Sequence, residues 1–468
     1  MTISQETVIA ANRFGMGAKP GELEHIGSDY KDWLLTQLNG EDLVTENLNL
    51  LSSKEAYKLS LLRNKILPTM ENNKEESSQQ FEFEFRVVDV TRPIYEQFVK
   101  ARSEGIIMSK KSFRERLVQF WSNHFAVSAD AAKYFALMPT LEYEAIRPNI
   151  TGFFADLLIA VEQHPAMLVY LDNHLSIGPN STLASLAKKN DRNLGINENL
   201  AREVLELHTL GVNGGYTLND IQSLANIISG WSIGKMPRLS RKNTPSGELG
   251  EFYFHSIAHQ PGRQTLLNKS YSQNNVEQGI AALRDLANHP ATARFIATKL
   301  AQHFIADTPP KSAIAKLEKA YTDSNGHLLS VYEALINLDE AWQPLQQKYK
   351  TPKEYIYSIY RAANTKPSDI KQLINTLTTL GQRPFKPLSP AGWPDTATQW
   401  SVGDALLKRI VIASRIGRQI GNQLDPILLA KDLLGPTLND HTKTEISRAE
   451  SNSQGLALLF VSPDFLGR

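Results

Sequence analysis

Hydrophobic residues recur every three or four positions along most of the chain, which is the spacing of helices with one buried face. The pattern is clearest at 113–124 and 295–304. Alternating strand patterns are few, and the best one predicts a β-hairpin at about 251–268, in which residues 252–257 pair with 265–267 across a Pro-Gly turn. The sequence therefore predicts a mainly α protein, a multi-helix globular array with one small β-hairpin.

A polar and charged stretch at 71–80 has no periodicity and is predicted to be a mobile loop. Helical patterns on both sides of it favour a single helical domain over residues 1–468, with an amino-terminal subdomain at 1–70 as the alternative. Hydrophobic residues make up 41% of the chain, which is ample for a packed core.

The charges of the chain are nearly balanced. Lysine and arginine total 50, and aspartate and glutamate total 49, so no global field draws the chain to nucleic acid or to an anionic membrane. No run approaches the roughly 18 apolar residues of a membrane span. The chain has no cysteine, which excludes disulfides, thiolate nucleophiles and zinc sites built on sulfur.

The amino terminus lacks the basic start and the apolar stretch of a secretory signal. We therefore expect a cytoplasmic location by default. A periplasmic or exported location would require that a signal had been removed.

An amphipathic helix with an acid-rich face is predicted at 197–210. Asn197 can accept a hydrogen bond from the first turn, as a capping residue does. Arg202, Glu203 and Glu206 cover the arc opposite the apolar stripe of this helix. Glu203 lies at the border of the stripe, so it is the acid expected to be partly buried.

Two interpretations of this acidic arc stay open. In the first, the arc is solvated, and Arg202 and Glu206 form an i,i+4 ion pair. In the second, Glu203 and Glu206 point into one cleft as an acid/base pair or as metal ligands, and Arg202 binds an anionic group of the substrate. A histidine from another helix would complete a carboxylate–imidazole metal site. The cofactor would then be a divalent metal ion such as Mg, Mn, Fe or Zn.

His124 is the best candidate for that histidine, as metal ligand or base, with a buried structural role as its alternative. His289 is a second candidate ligand, although it precedes a proline, a position typical of a helix start. His303 lies one turn from Lys299 and is interpreted as flanking the end of its helix. His208 falls on the buried side of the 197–210 helix and is expected to be structural.

A series of distinctive stretches runs through nearly the whole chain in a fixed order. They lie at 12–17, 116–125, 165–173, 197–211, 214–217, 230–231, 289–297 and 389–395. Together they resemble the bacterial family catalogued as domain of unknown function 1800. The resemblance places His124, the acids of the 197–210 helix and His289 in family motifs. The chain departs from the pattern at Asn268, where a glycine is expected to close the hairpin.

The resemblance also suggests a partner. Members of the family are often encoded beside a second uncharacterised family, domain of unknown function 1501, which resembles alkaline-phosphatase-type enzymes. Two functions are therefore expected. The first is an enzyme using Glu203, Glu206, Arg202 and His124. The alternative is a non-catalytic helical partner or assembly factor for the co-encoded protein, with the proline- and tryptophan-rich segment 384–400, which contains Trp393, as its docking surface.

Overall fold

The computed structural model describes residues 3–40, 49–72, 78–130, 134–191, 194–235, 246–343, 348–401, 403–421 and 423–468, without the side chains of 63–90. Helices make up most of these residues, which confirms the predicted mainly α fold. The helices up to residue 227 are α1 Gln5–Ile9, α2 Glu22–Ile26, α3 Tyr30–Thr36, α4 Ser53–Asn72, α5 Ser78–Met108, α6 Ser112–His124, α7 Phe154–Glu162, α8 Pro165–Tyr170, α9 Thr182–Lys188, α10 Asn199–Glu203 and α11 Leu218–Ile227.

The remaining helices lie beyond the strands. They are α12 Val276–Ala287, α13 Pro290–Phe304, α14 Lys311–Asp323, α15 Leu328–Ile336, α16 Pro352–Ala362, α17 Ile370–Thr379, α18 Ala397–Trp400, α19 Ala405–Ile420, α20 Pro426–Leu434, α21 Asp440–Ser447, α22 Asn452–Val461 and α23 Pro463–Leu466. π-Helical turns continue α1 and α10, at Ala10–Phe14 and Val204–His208. In the described ranges, no helix combines the length and the apolar character needed to cross a bilayer.

In the part of the chain that the structure describes, the strands form two separate antiparallel pairs, so the predicted pairing within 251–268 is wrong. Strand β1 (Trp231–Ile233) pairs with β2 (Phe252–Phe254), and β3 (Gln264–Leu266) pairs with β4 (Lys269–Tyr271). The chain turns back at once after β3, because Leu267 and Asn268 both take positive φ angles, 48° and 62°. This is the two-residue turn that suits a tight hairpin, and asparagine tolerates the conformation that the family pattern assigns to glycine.

Several helix starts follow directly from the sequence. His164 and His289 each precede a proline, and the Nδ1 atom of each accepts a hydrogen bond of 3.1 Å from the backbone N–H two residues later. Proline fits the first turn of a helix because its missing N–H would have no partner there. Thr217 and Asp220 form the predicted capping box at the start of α11.

Among the residues whose side chains are described, the apolar core forms two packed clusters. The larger one surrounds Trp121, and the second is built mainly from α16, α17 and α19–α23. Phe14 belongs to the first cluster and Met16 to the second, so the amino-terminal segment contacts both. The subdomain at 1–70 stays a prediction. Of the predicted loop at 71–80, residues 73–77 lie outside the described residues. The prediction is wrong for the others, because 71–72 end α4 and 78–80 begin α5.

Buried arginines fix the segment between α1 and α2. Arg116 donates through Nε to the carbonyl of Gly15 at 2.6 Å, and Arg361 donates through Nε to that of Gly17 at 2.7 Å. Arg13 donates through Nη1 to the carbonyl of Ala341 at 2.7 Å. Guanidinium groups supply donors in a rigid fork, so each satisfies backbone acceptors that would otherwise be buried without partners. The segment thereby holds α6 and α16 in place.

A buried ion pair in the larger cluster gives a test of the fold. Arg147 donates to both oxygens of Glu115, at 2.9 and 2.7 Å, and both side chains are buried. We expect Glu115→Gln to lower the free energy of unfolding by roughly 3 kcal/mol, because a buried guanidinium loses its bidentate partner. Chemical unfolding monitored by circular dichroism measures this change.

The matched control is an exposed pair. Lys319 and Asp323 are 2.6 Å apart on α14, with most of each side chain in solvent. Lys319→Gln is expected to cost less than about 1 kcal/mol, because water screens such a pair. An equal decrease in the free energy of unfolding for Glu115→Gln and Lys319→Gln would contradict the expectation that the buried pair stabilises the fold more than the exposed one.

Candidate active site

A cavity of about 200 Å³ lies between α6, α13, the start of α16 and the segment 389–395. Most of the residues that line it are polar or charged. The lining residues are Met16, Arg116, Gln119, Phe120, Asn123, His124, Lys299, Gln302, His303, Thr351, Lys353, Glu354, Gln382, Ala391, Trp393, Pro394 and Asp395. Such a concave site with converging polar groups is the usual form of a small-molecule site.

Helical spacing places the polar side chains of two helices in this wall. Along α6, Arg116, Gln119 and Asn123 follow one another at intervals of three and four residues, so they share one face. Along α13, Lys299 and His303 are one turn apart. Both helices therefore present a polar stripe to the cavity while their other faces pack in the core.

His303 and Asp395 form a hydrogen-bonded pair in the cavity wall. The Nδ1 atom of His303 lies 2.6 Å from Oδ2 of Asp395. Burial opposes ionisation of Asp395, but the bond from His303 and the nearby Lys348 and Arg468 lower its pKa to about 2. An ionised carboxylate only accepts, so this pairing assigns the ring proton to Nδ1.

The other ring nitrogen of His303 has no hydrogen-bond partner among the described residues. Its Nε2 atom is buried and forms no hydrogen bond with the described part of the protein. Burial lowers the pKa of His303 to about 4, and Arg468 and Arg116 act in the same direction, while Asp395 opposes them. The imidazole is therefore neutral at pH 7, and Nε2 carries a lone pair that can accept a proton.

The carboxylates of the wall belong to a buried ion network. Arg116 donates to Oε1 of Glu354 at 2.6 Å, and Arg468 lies 3.3 Å from its other oxygen. Arg468 and Lys348 lie 3.5 and 3.7 Å from Oδ1 of Asp395. Burial alone would raise the pKa of Glu354, but the two arginines hold it well below its ordinary value. Both carboxylates therefore stay ionised and already have cationic partners.

Two lysines of the cavity have neutral partners instead. Lys299 donates through Nζ to Nδ1 of His124 at 3.0 Å, and Lys353 donates to Oε1 of Gln119 at 3.2 Å. Burial lowers the pKa of each lysine to about 8. Burial and the neighbouring Lys299 also push the pKa of His124 well below its ordinary value, so this ring is neutral.

The tryptophan of the segment 389–395 closes one side of the cavity. The side chain of Asn123 accepts from the backbone N–H of Trp393 and donates to its carbonyl, both at 2.8 Å. Gly392 has a φ of 78°, and a Cβ there would lie 2.4 Å from the carbonyl oxygen of Asn123. Glycine is therefore required for the segment to pack against α6, and this contact carries Asp395 to His303.

The acids predicted as a site lie elsewhere. Arg202 is 3.6 Å from both Glu198 and Glu206, so the expected i,i+4 ion pair is present. Glu203 is partly buried, as expected, and burial raises its pKa. Arg202, Glu203 and Glu206 do not line the cavity. Of the sequence-predicted catalytic residues, His124 alone does.

The predicted metal ligands are not brought together. Among the described residues, no three histidine, aspartate or glutamate side chains form a group that could hold a metal ion, and this includes Glu203, Glu206, His124 and His289. The Nε2 atom of His124 instead lies 3.1 Å from the carbonyl of His208, and its Nδ1 accepts from a lysine. The Nδ1 atom of His289 caps α13. His124 therefore uses both ring nitrogens in contacts within the protein, and His289 uses its Nδ1.

Only some of the residues that meet at the cavity could be predicted from the sequence. The one-turn spacing of Lys299 and His303 places both on one face of a helix, which is a usable signal. Asp395 is the last residue of a recognised stretch, but nothing in the sequence links it to a residue 92 positions away. His208, expected to be structural, is fully buried and its Nδ1 lies 2.7 Å from Glu162.

Comparison with known proteins gives the family of the chain. The family model described as "Protein of unknown function (DUF1800)" matches residues 9–467, so the chain belongs to this family. Searches of curated proteins and of solved structures gave no match. The family carries no named activity, so the function is argued from the geometry of the cavity.

The pKa of His303 predicts a pH dependence of stability. It is about 4 in the folded protein against an ordinary value of 6.5, so between these values the unfolded chain binds a proton that the folded protein does not. The neutral state of His303 therefore contributes on the order of 3 kcal/mol to the free energy of unfolding at pH values above 6.5. This contribution is lost as the pH falls towards about 4. We expect Tm to fall more steeply with acid in the wild type than in His303→Gln.

Thermal scans between pH 7.5 and 4.5 measure this difference. The control is His441→Gln, which removes an exposed histidine of α21 and should follow the wild type. Parallel curves for the wild type and His303→Gln would contradict a buried, neutral His303.

Proposed function

We propose that this member of the DUF1800 family is an enzyme that performs general acid–base chemistry on a small molecule bound in the cavity. The observation that carries the proposal is the His303–Asp395 pair, with its 2.6 Å hydrogen bond and an Nε2 atom that has no partner among the described residues. A histidine oriented by a buried carboxylate is a common form of general base, because the carboxylate fixes the tautomer and stabilises the imidazolium that forms.

In this proposal each group has one role. His303 takes a proton from a substrate group or a bound water through Nε2, and Asp395 stabilises the resulting charge through Nδ1. The ion network of Arg116, Glu354 and Arg468 keeps Asp395 in position. The carboxylate–histidine chemistry expected from the sequence is thereby proposed for the cavity instead of the 197–210 helix.

Consumption of a metabolite tests the proposal even though the substrate is unidentified. The purified protein is incubated with a small-molecule extract of bacterial cells, and the metabolites are followed by mass spectrometry. We expect at least one to disappear with the wild type, and its disappearance to slow by at least ~100-fold in His303→Gln, because a positioned base contributes that much. Asp395→Asn should also slow it, since the ring loses its orienting partner.

His441→Gln should keep the wild-type rate. Loss of the activity in Glu203→Gln/Glu206→Gln, with full activity in His303→Gln, would contradict the proposal and return the site to the 197–210 helix.

A second candidate function is supported by an exposed apolar surface. On α19, Leu406, Leu407, Ile410 and Val411 are 45, 65, 41 and 68% exposed. A contiguous aliphatic stripe of this kind is typical of a protein–protein contact. In the segment 384–400, by contrast, Trp393 is held against α6 and Trp400 is buried. The non-catalytic alternative, a partner or assembly factor for a co-encoded alkaline-phosphatase-like protein, is therefore best proposed for α19.

Co-expression with that protein tests the alternative. We expect a complex that survives size-exclusion chromatography in the wild type and is lost in Leu407→Glu/Val411→Glu, because two charges would be buried in the apolar contact. Leu388→Glu, at an 84% exposed residue of the segment 384–400, should leave the complex intact. A complex that persists in the double variant, or is lost only in Leu388→Glu, would contradict a contact through α19.

A further inference from the structure

We propose that Lys299 and Lys353 form an oxyanion-binding subsite in the cavity, which takes a phosphate or carboxylate group of the ligand. This inference rests on the proposed function, because it names the class of molecule on which the His303–Asp395 pair would act.

The two carboxylates of the wall are already balanced. Glu354 has Arg116 and Arg468 as partners, and Asp395 has Arg468 and Lys348. Lys348 and Arg468 contact these acids but do not themselves line the cavity. Glu354 and Asp395 are therefore paired with cations other than Lys299 and Lys353.

Lys299 and Lys353 have no such partner. Among the described residues, neither has a carboxylate oxygen within the 4.0 Å of an ion pair. Each ammonium makes one side-chain hydrogen bond, to His124 and to Gln119 respectively, although an ammonium has three donors. Both lysines are only partly exposed, so water compensates their charge incompletely.

A third donor lies beside them. Gln119 is buried, its Oε1 accepts from Lys353, and its Nε2 forms no hydrogen bond with the described residues. An oxyanion has several lone pairs and binds best where charged and neutral donors converge. Gln119 and the two lysines all line the same cavity, which provides that combination.

The titration of the lysines agrees with this assignment. Burial lowers the pKa of each to about 8, which reports the free energy spent in keeping an ammonium away from water. A bound anion would offset that cost. It would also stabilise the imidazolium that forms when His303 takes a proton, a charge that burial, Arg468 and Arg116 now disfavour.

The test uses simple anions and the full-length protein. Inorganic phosphate and acetate are titrated separately at constant ionic strength in chloride, and binding is followed by Tm and by calorimetry. We expect saturable binding of at least one of them, which raises Tm because the anion binds only the folded protein. Saturation by phosphate alone identifies a phosphoryl group, and saturation by acetate alone identifies a carboxylate.

Variants locate the binding. Lys299→Gln and Lys353→Gln should each weaken it by roughly tenfold or more, as the loss of one charge-assisted hydrogen bond does. Lys299→Arg should retain it, because the charge is kept. Lys189→Gln, which removes an exposed lysine, should leave it unchanged. Without anion, Lys299→Met and Lys353→Met should have a higher Tm than the wild type, because a poorly compensated charge is removed.

Absence of saturable binding for both anions would overturn the proposal, as would equal binding in the wild type and in both glutamine variants. The His303→Gln variant separates this outcome from that of the proposed function. Anion binding that is retained in His303→Gln, with metabolite consumption lost, supports both. Anion binding with no metabolite consumed by any variant supports the subsite and contradicts the enzyme.

Discussion

The ion network that joins Arg116, Glu354, Arg468 and Asp395 connects parts of the chain that lie far apart in sequence. Arg116 comes from α6, Glu354 from the first turn of α16, and Asp395 from the segment after α17. Buried charges are tolerated only when paired and hydrogen-bonded, so each partner constrains the position of the others. The cavity, and with it the orientation of His303, depends on this network being complete.

Much of the fold could be predicted because it is encoded locally. Helix periodicity, the proline after His289 and the capping box at Thr217 all act within one or two turns, and the structure has each of them. The strand pairing could not be predicted, because three-residue strands carry little pattern and a turn of Leu267 and Asn268 lacks the usual glycine. Which strands pair with one another depends on tertiary packing.

In the candidate site, too, the local features could be predicted and the tertiary contacts could not. Sequence pattern correctly placed Glu203 at the edge of an apolar stripe and paired Arg202 with Glu206, yet it could not tell whether these acids face a ligand. The residues that converge instead, His303 and Asp395, are brought together by a contact over 92 positions. That contact depends on Gly392 and Asn123, whose close approach is visible only in three dimensions. Local pattern therefore found the helices of the site but not its chemistry.

The electrostatic consequence is a cavity in which a neutral imidazole lies beside two incompletely compensated lysines. The most direct measurement is the ¹⁵N spectrum of the imidazole of His303 at pH 7, assigned by its loss in His303→Gln. We predict a protonated, pyrrole-type Nδ1 and an unprotonated, pyridine-type Nε2. Two protonated nitrogens, or a proton on Nε2 alone, would contradict the assignment of His303 as an oriented general base.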